Sequence, residues 1–231
     1  MKHNYKLLLL ALISITFICN QSKAQKEKFP SNLNKSTPLS KSDSIGLINL
    51  PKLSLPEEFK GPNAPLLPPI VDNSTNMYWR PVFAQQQYEC GQASGIGLGF
   101  TYTMNRLRDL SSTSADNQYP PHFAFNWANG GNGYYGVSYF HSFEVLKQLG
   151  IPDVNTYGGM TIGTGDELGR IWMNGYDKYY EAMHNRLSEV YQIDVSTAEG
   201  IQTLKHWIDN YLEGSNVGGV ANFYSNTPSA S

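Results

Sequence analysis

The feature that most constrains the fold is a glycine-dense run, Gly91 to Leu107, which we predict to be a helix. It contains four glycines: Gly91, Gly95, Gly97 and Gly99. Glycine destabilises a helix interior, because its backbone loses more freedom on folding than that of any other residue. Neighbouring elements can, however, approach a helix closely where side chains are missing. The run therefore predicts a buried helix with close neighbours, and Asn105, Arg106 and Arg108 mark its solvated, cationic C-terminal end.

A cysteine, Cys90, directly precedes this run. It is the only cysteine left if the N-terminal signal is removed, so it cannot form an internal disulfide. Unpaired backbone N–H groups at a helix start stabilise negative charge, which suits a reactive thiol. The glutamines just before it, Gln85 to Gln87, offer side-chain amides for an oxyanion. The alternative is a small buried cysteine without chemistry.

The N-terminus has the pattern of a secretory signal peptide, residues 1–24. A basic start is followed by an apolar run, Leu7 to Ile18, and by a small-x-Ala end at Ala24. Cys19 raises the alternative of a lipoprotein anchor, but Ile18 stands where a small residue is expected, which favours cleavage after Ala24. The protein is thus predicted to be secreted or periplasmic. With no second long apolar run, the mature chain has no predicted membrane span.

Composition excludes some functions and favours few. The net charge is −2 and 16% of residues are charged, so electrostatics give no case for nucleic-acid binding. Residues 25–76 are polar and rich in proline, which predicts a mostly extended linker or pro-segment. Histidines lack helical pair spacing and aspartates are scattered, so we predict no metal site, and no motif indicates a cofactor.

The rest of the chain is predicted to form helices first and strands only near the end. Ser138 to Leu149 is amphipathic, and Gly150 and Pro152 end it. The remaining predicted elements are a helix over about 166–190, in which Gly175 offers a break, a strand over 191–195, a helix from the capping box Ser196–Glu199 to Leu212, and a strand over 217–224.

Several weak motifs occur in an order that resembles the first half of a papain-type cysteine peptidase, over roughly residues 78–158. They are Pro81-Val82, the glutamines, Cys90-Gly91, a helix, Asn129-Gly130-Gly131, a helix ending in Gly150-Ile151, and Asn155-Thr156-Tyr157. The resemblance implies an incomplete α+β, papain-like fold, in which residues 77–231 are the helical N-terminal portion and the start of a strand-rich subdomain. It also implies a peptide or protein substrate, with Gly130 and Gly131 lining the cleft.

Two registers of this resemblance stay open. If Cys90 is the nucleophile, Glu89-Cys90-Gly91-Gln92-Ala93 resembles the bacteriocin leader peptidases, and Gln85 serves the oxyanion after a shift of one residue. If Cys90 matches the family's structural cysteine, Ala93 takes the nucleophile position and Gln87 lies six residues before it. The chain is then a pseudoenzyme, because a methyl group cannot attack a carbonyl. In that register the usual disulfide partner is replaced by Ala128, which favours Cys90.

The second half of a papain-type mechanism, a histidine base on a strand, is not evident. The histidines of the mature chain lie in a loop or on predicted helices: His122, His141, His184 and His206. We therefore expect a truncated or inactive homologue unless a later histidine completes the site. The competing hypothesis is a non-catalytic module that binds peptide or glycan through an aromatic segment: Phe123, Phe125, Trp127, Tyr134, Tyr135, Tyr139 and Phe140. Large aromatic residues more often face the core.

Overall fold

Helices make up the regular secondary structure of residues 40–224, the part of the chain that this computed structural model describes. The predicted signal peptide lies outside these residues. The α-helices are α1 (Lys41–Asn49), α2 (Cys90–Gln92), α3 (Thr101–Arg108), α4 (Pro121–Ala128), α5 (Tyr139–Leu149), α6 (Val154–Tyr157), α7 (Tyr176–Ala182) and α8 (Ala198–Asn210). A π-helix (Ala93–Phe100) joins α2 to α3. Short 3₁₀ helices span Glu57–Phe59, Asn73–Thr75, Ala115–Asn117 and Gly165–Glu167.

The glycine-dense run forms one continuous helix over residues 90–108, which we call the central helix. The prediction that neighbours approach its glycines is confirmed. A Cβ on Gly91 would lie 1.5 Å from the Tyr139 ring, one on Gly95 would lie 3.0 Å from the Phe143 ring, and one on Gly97 would meet the ring of Phe83. The glycines therefore allow α5 and the segment before the central helix to pack directly on its backbone.

The main core lies between the central helix, α4 and α5. Its buried members are Ile96, Phe100, Tyr119, Phe123, Ala124, Val145, Leu146, Ile151, Tyr157 and Met173. The predicted helix ending at Leu149 is confirmed as α5, with Ser138 as its N-cap and Gly150 at its C-cap. The helix predicted after Ser196 is also present as α8, although its capping residue is Thr197, whose hydroxyl accepts from the backbone N–H of Gly200.

The predicted α+β class is wrong. The structure is 45% helical, and residues 40–224 contain no β-strand and hence no start of a strand-rich subdomain. In the stretch 191–195, Gln192 forms only an isolated bridge with Lys52. In the stretch 217–224, side chains take the backbone carbonyls that a strand partner would need: Tyr102 donates to Gly218 and Trp207 to Val220.

The long helix predicted over about 166–190 is also wrong in most of its length, because only α7 is α-helical there. Gly175 lies just before α7, and its φ of 114° is incompatible with an α-helix, so the helix cannot extend upstream through it. Further upstream, the side chain of Asn126 donates to the carbonyls of Leu168 and Ile171. These carbonyls are satisfied by a side chain from α4 rather than by a helical turn.

The proline-rich segment contains a helix and packs on the rest of the described chain. The Phe140 ring of α5 lies against Gly46 of α1. Leu55 and Phe59 form a second, smaller core with Leu212. The Asn73 side chain donates to the carbonyl of Ile208 near the end of α8. Whether this segment is a linker or a pro-segment stays an interpretation, but its described part is docked on the helices.

Among residues 40–224, no helix combines the length and the apolar character needed to span a bilayer.

Candidate functional site

Cys90 is an exposed free cysteine, and it is the first residue of the central helix. The preceding Glu89 makes no side-chain capping hydrogen bond, so the N-terminus of the helix has no side-chain cap there. A thiol at a helix start lies near backbone N–H groups that have no intrahelical acceptor. The predicted location of Cys90 at a helix N-terminus is therefore confirmed.

The glutamines lie beside a glycine-containing loop, residues 130–136, which we call the glycine loop. A Cβ on Gly133 would lie 2.5 Å from the side-chain oxygen of Gln87, and one on Gly169 would lie 2.5 Å from the Cα of Gly133. Gln87 itself has a φ of 51°. Its side-chain oxygen is buried and has no hydrogen-bond partner among the described residues. Gln87 is thus packed into the glycine loop rather than extended into solvent beside Cys90.

The other predicted residues of this side are exposed. Gln85 donates only a long hydrogen bond, 3.4 Å, to the carbonyl of Gln87. Gly130 and Gly131 adopt φ values of 62° and 81°, and a Cβ on Gly130 would meet open space. The structure therefore brings Gln87 and the glycine loop together near the start of the central helix and leaves Gly130 and Gly131 accessible.

Tyr139, the first residue of α5, is a neighbour of Cys90 to which the sequence analysis gave no catalytic or positioning role. Its ring covers the backbone of Gly91, the residue after Cys90. Its pKa is raised, first by burial and then by the negative charges of Cys90, Asp43 and Tyr224. Asp43 of α1 is buried and accepts hydrogen bonds from the hydroxyls of Ser40 and Ser138. An element of the proline-rich segment thus lies beside the start of α5.

The inner side of the helix start is buried and polar. Glu89 is 1% exposed, and burial raises the pKa of its carboxyl to about 7. One carboxyl oxygen accepts from the backbone N–H of Gln86 at 2.9 Å, and the other has no partner among the described residues. The next buried residue, Gln92, donates to the hydroxyl of Ser142 on α5 at 2.9 Å. These contacts hold the first turn of the central helix against α5.

His122 lies in this buried region and is not available as a base for Cys90. Its Nε2 is 2.6 Å from the carbonyl of Leu168, and its Nδ1 is 2.8 Å from the hydroxyl of Tyr157. A carbonyl can only accept, so Nε2 carries the hydrogen and Nδ1 accepts from Tyr157. Burial lowers the pKa of His122. Burial also raises the pKa of Tyr157, and the charge of Glu89 adds to that effect.

The other described histidines do not form a pair with the thiol. His141 and His184 are exposed, and His206 is buried on α8 against the ring of Phe59. No hydrogen bond joins any histidine of residues 40–224 to Cys90. The same residues contain no cluster of metal-ligating side chains.

Ala93, the alternative nucleophile position, lies one turn further along the central helix. It is half-buried, and its backbone N–H donates to the carbonyl of Glu89 at 2.7 Å. Ala93 is therefore less exposed than Cys90, the first residue of the helix. The geometry alone distinguishes the two by exposure and not by chemistry.

The aromatic segment of the competing hypothesis divides between core and surface. Phe123 and Phe125 are fully buried, whereas Tyr134 and Tyr135 of the glycine loop are 65% and 71% exposed. Trp127 is half-buried and packs on Trp172 at a ring-centroid distance of 4.3 Å. The segment therefore does not form one aromatic surface.

Comparisons with protein-family models, curated proteins and solved structures found no match for this chain.

Proposed function

We propose that this protein is a homologue of papain-type cysteine peptidases in which Cys90 is the thiol nucleophile and the adjoining glycine loop binds a peptide substrate. The observation that carries the proposal is the exposed thiol at the first residue of the central helix, beside a loop packed on Gln87. Gly130 and Gly131 are exposed at this loop. The N–H of Gly131 donates to the Asn129 side chain, so we assign the contact with an extended peptide to the carbonyls of the two glycines.

The proposed step is attack of the Cys90 thiolate on a peptide carbonyl. A bond forms between sulfur and the carbonyl carbon, and the C–N bond breaks once the leaving nitrogen accepts a proton. Water then hydrolyses the thioester. We assign the attack and the peptide binding to residues 85–91 and 130–136. The histidines of residues 40–224 form no hydrogen bond with Cys90, so we assign the base to none of them.

A peptidyl vinyl sulfone tests this proposal, because it adds covalently only to a thiol that it can reach. We expect it to label Cys90 of the mature protein faster than methyl vinyl sulfone, which lacks the peptide part. Intact-mass and peptide-mass measurements locate the label, and Cys90→Ser is the control. Equal rates for the two reagents would contradict a peptide-binding site at Cys90.

The second candidate is a peptide-binding pseudoenzyme in which Ala93 occupies the nucleophile position. It is favoured by the lack of any hydrogen bond between Cys90 and a histidine of residues 40–224. The double variant Cys90→Ser/Ala93→Cys decides between the two registers. If Ala93 holds the position, this variant reacts with the peptidyl probe faster than the wild-type protein. If Cys90 holds it, the double variant is labelled slowly.

A further inference from the structure

The last described segment, residues 221–224, crosses the central helix on the side that carries Cys90. Its upstream end is firmly held: the hydroxyl of Tyr102 donates to Gly218 at 2.7 Å, and the indole of Trp207 donates to Val220 at 2.9 Å. The backbone N–H of Gly219 adds a hydrogen bond of 2.7 Å to the carbonyl of Trp207. The chain is therefore fixed between Tyr102 of the central helix and Trp207 of α8 before residue 221.

Beyond this anchor, Asn222 makes a side-chain contact with the helix. The Ser94 hydroxyl donates to the Asn222 side-chain oxygen at 2.8 Å. The Asn222 amide nitrogen lies 2.9 Å from where a Cβ on Gly99 would be, so the glycine provides the space for it. Ser94 follows Cys90 by four residues, and residues with this spacing share a helix face.

The segment then continues toward the N-terminal end of the helix. Gly218 is hydrogen-bonded to Tyr102, whereas Asn222 is hydrogen-bonded to Ser94, which is nearer the first turn of the helix. The charge of Tyr224 also raises the pKa of Tyr139, after burial and the charges of Cys90 and Asp43. Tyr139 in turn covers Gly91, next to the thiol. The direction of the chain is thus from the middle of the helix toward Cys90. Residues 221–223 are exposed, and Tyr224 is 41% exposed, so the segment lies on the surface of the helix rather than in the core.

We propose that residues 221–224 form a strap that restricts access of peptides to the Cys90 face of the central helix and is held by the hydrogen bond between Ser94 and Asn222. This inference rests on the proposed function for its peptide ligand. An exposed hydrogen bond of ordinary net strength changes an open–closed equilibrium by about three- to tenfold. Release of the strap should therefore increase access by a similar factor.

The test measures Cys90 modification in the mature protein by three reagents. Iodoacetamide is small and reports the thiol itself, a maleimide on a polyethylene glycol chain reports steric access, and the peptidyl vinyl sulfone reports peptide binding. Asn222→Ala and Ser94→Ala should each accelerate the two larger reagents about three- to tenfold and leave iodoacetamide within about twofold. Their combination should add little, because both remove the same bond. The exposed Asn216→Ala is the matched control.

The outcomes separate the strap from the proposed function. Unchanged rates with both larger reagents overturn the strap. A slower reaction of Asn222→Ala with the peptidyl reagent also overturns it, because the segment would then be part of the peptide site. If the peptidyl vinyl sulfone labels neither the wild type nor the variants faster than methyl vinyl sulfone does, the proposed function fails. If the polyethylene glycol maleimide still reacts faster with the variants than with the wild type, the strap stands. Thermal unfolding of each variant verifies that the fold is intact.

Discussion

The two sides of the first turn of the central helix differ in how they are held. On the inner side, Glu89 and Gln92 are buried and hydrogen-bonded to a loop and to α5. On the outer side, Cys90 and Ser94 are exposed, and Ser94 makes one side-chain bond to Asn222. The inner contacts determine where the helix begins, whereas the outer residues are free to react or to bind. We therefore expect substitutions on the inner side to change stability and those on the outer side to change reactivity.

The largest expected effect is the dependence of stability on the ionisation of Glu89. The pKa of its carboxyl is about 7 in the folded protein against 4.5 as the ordinary value, so the folded state binds the proton more tightly. This contribution is fully present below pH 4.5 and is lost as the pH rises through about 7. The loss amounts to about 3 kcal/mol of unfolding free energy.

Glu89→Gln isolates this effect, because an amide oxygen can still accept from the backbone N–H of Gln86. The difference in unfolding free energy between variant and wild type should change by about 3 kcal/mol between acid and pH 8, in favour of the variant at pH 8. Both proteins also lose stability toward acid because burial lowers the pKa of His122. This loss cancels when the variant is compared with the wild type at the same pH. Urea unfolding at several pH values measures it. A difference that does not vary with pH would show that the inner side is not buried as described.

The second prediction concerns the contact between the central helix and α5. Gly91→Ala should reduce the unfolding free energy by about 2 kcal/mol, although alanine favours helices, because the new methyl group would lie 1.5 Å from the Tyr139 ring. Gly136→Ala is the control, since its nearest neighbour would be 3.7 Å away, and we expect it to change stability by less than about 0.5 kcal/mol. Adding Tyr139→Ala should remove most of the cost of Gly91→Ala. A stabilised Gly91→Ala would contradict the close contact.

Features that depend on local sequence patterns could be predicted, whereas contacts between distant segments could not. The predicted helices after Cys90, over Ser138 to Leu149 and after the Ser196–Glu199 capping box depend on local patterns, and their presence is confirmed. The strand predictions for 191–195 and 217–224 are wrong because alternation does not supply a partner. Lys52, the bridge partner of Gln192, is far away in sequence, and side chains occupy the carbonyls after residue 217.

The same division between local patterns and distant contacts applies to the candidate site. The position of Cys90 at a helix start could be predicted from its neighbours, as could the close packing on the glycines. The contacts of Tyr139 with Gly91, of Asp43 with Ser138 and of Asn222 with Ser94 could not, because each joins separate segments of the chain. The burial of Gln87 in the glycine loop likewise depends on Gly133 and Gly169, which no local pattern connects to it.

Two Ser→Ala substitutions, one on each side of the first turn, compare the two sides with the same change of side chain. Ser142→Ala removes a buried acceptor for Gln92 and should cost about 1–2 kcal/mol of unfolding free energy, since a buried amide donor loses its partner. Ser94→Ala removes an exposed bond and should cost less, about 0.7–1 kcal/mol, which matches the shift expected for the strap. Denaturant unfolding of both variants at one pH makes the comparison. Equal costs would remove the distinction between a structural inner side and a reactive outer side.

The smallest expected effect on stability is that of Cys90→Ser. The thiol is exposed, so replacing sulfur by oxygen neither opens a cavity nor buries a polar atom, and the unfolding free energy should change by less than about 0.5 kcal/mol. Labelling by the vinyl sulfone should nevertheless disappear, because the mature chain contains no other cysteine if cleavage follows Ala24. A loss of more than about 1.5 kcal/mol would instead indicate a packed, structural cysteine. That result would favour the register in which Ala93 occupies the nucleophile position, because the family's cysteine at the place of Cys90 is then a structural one.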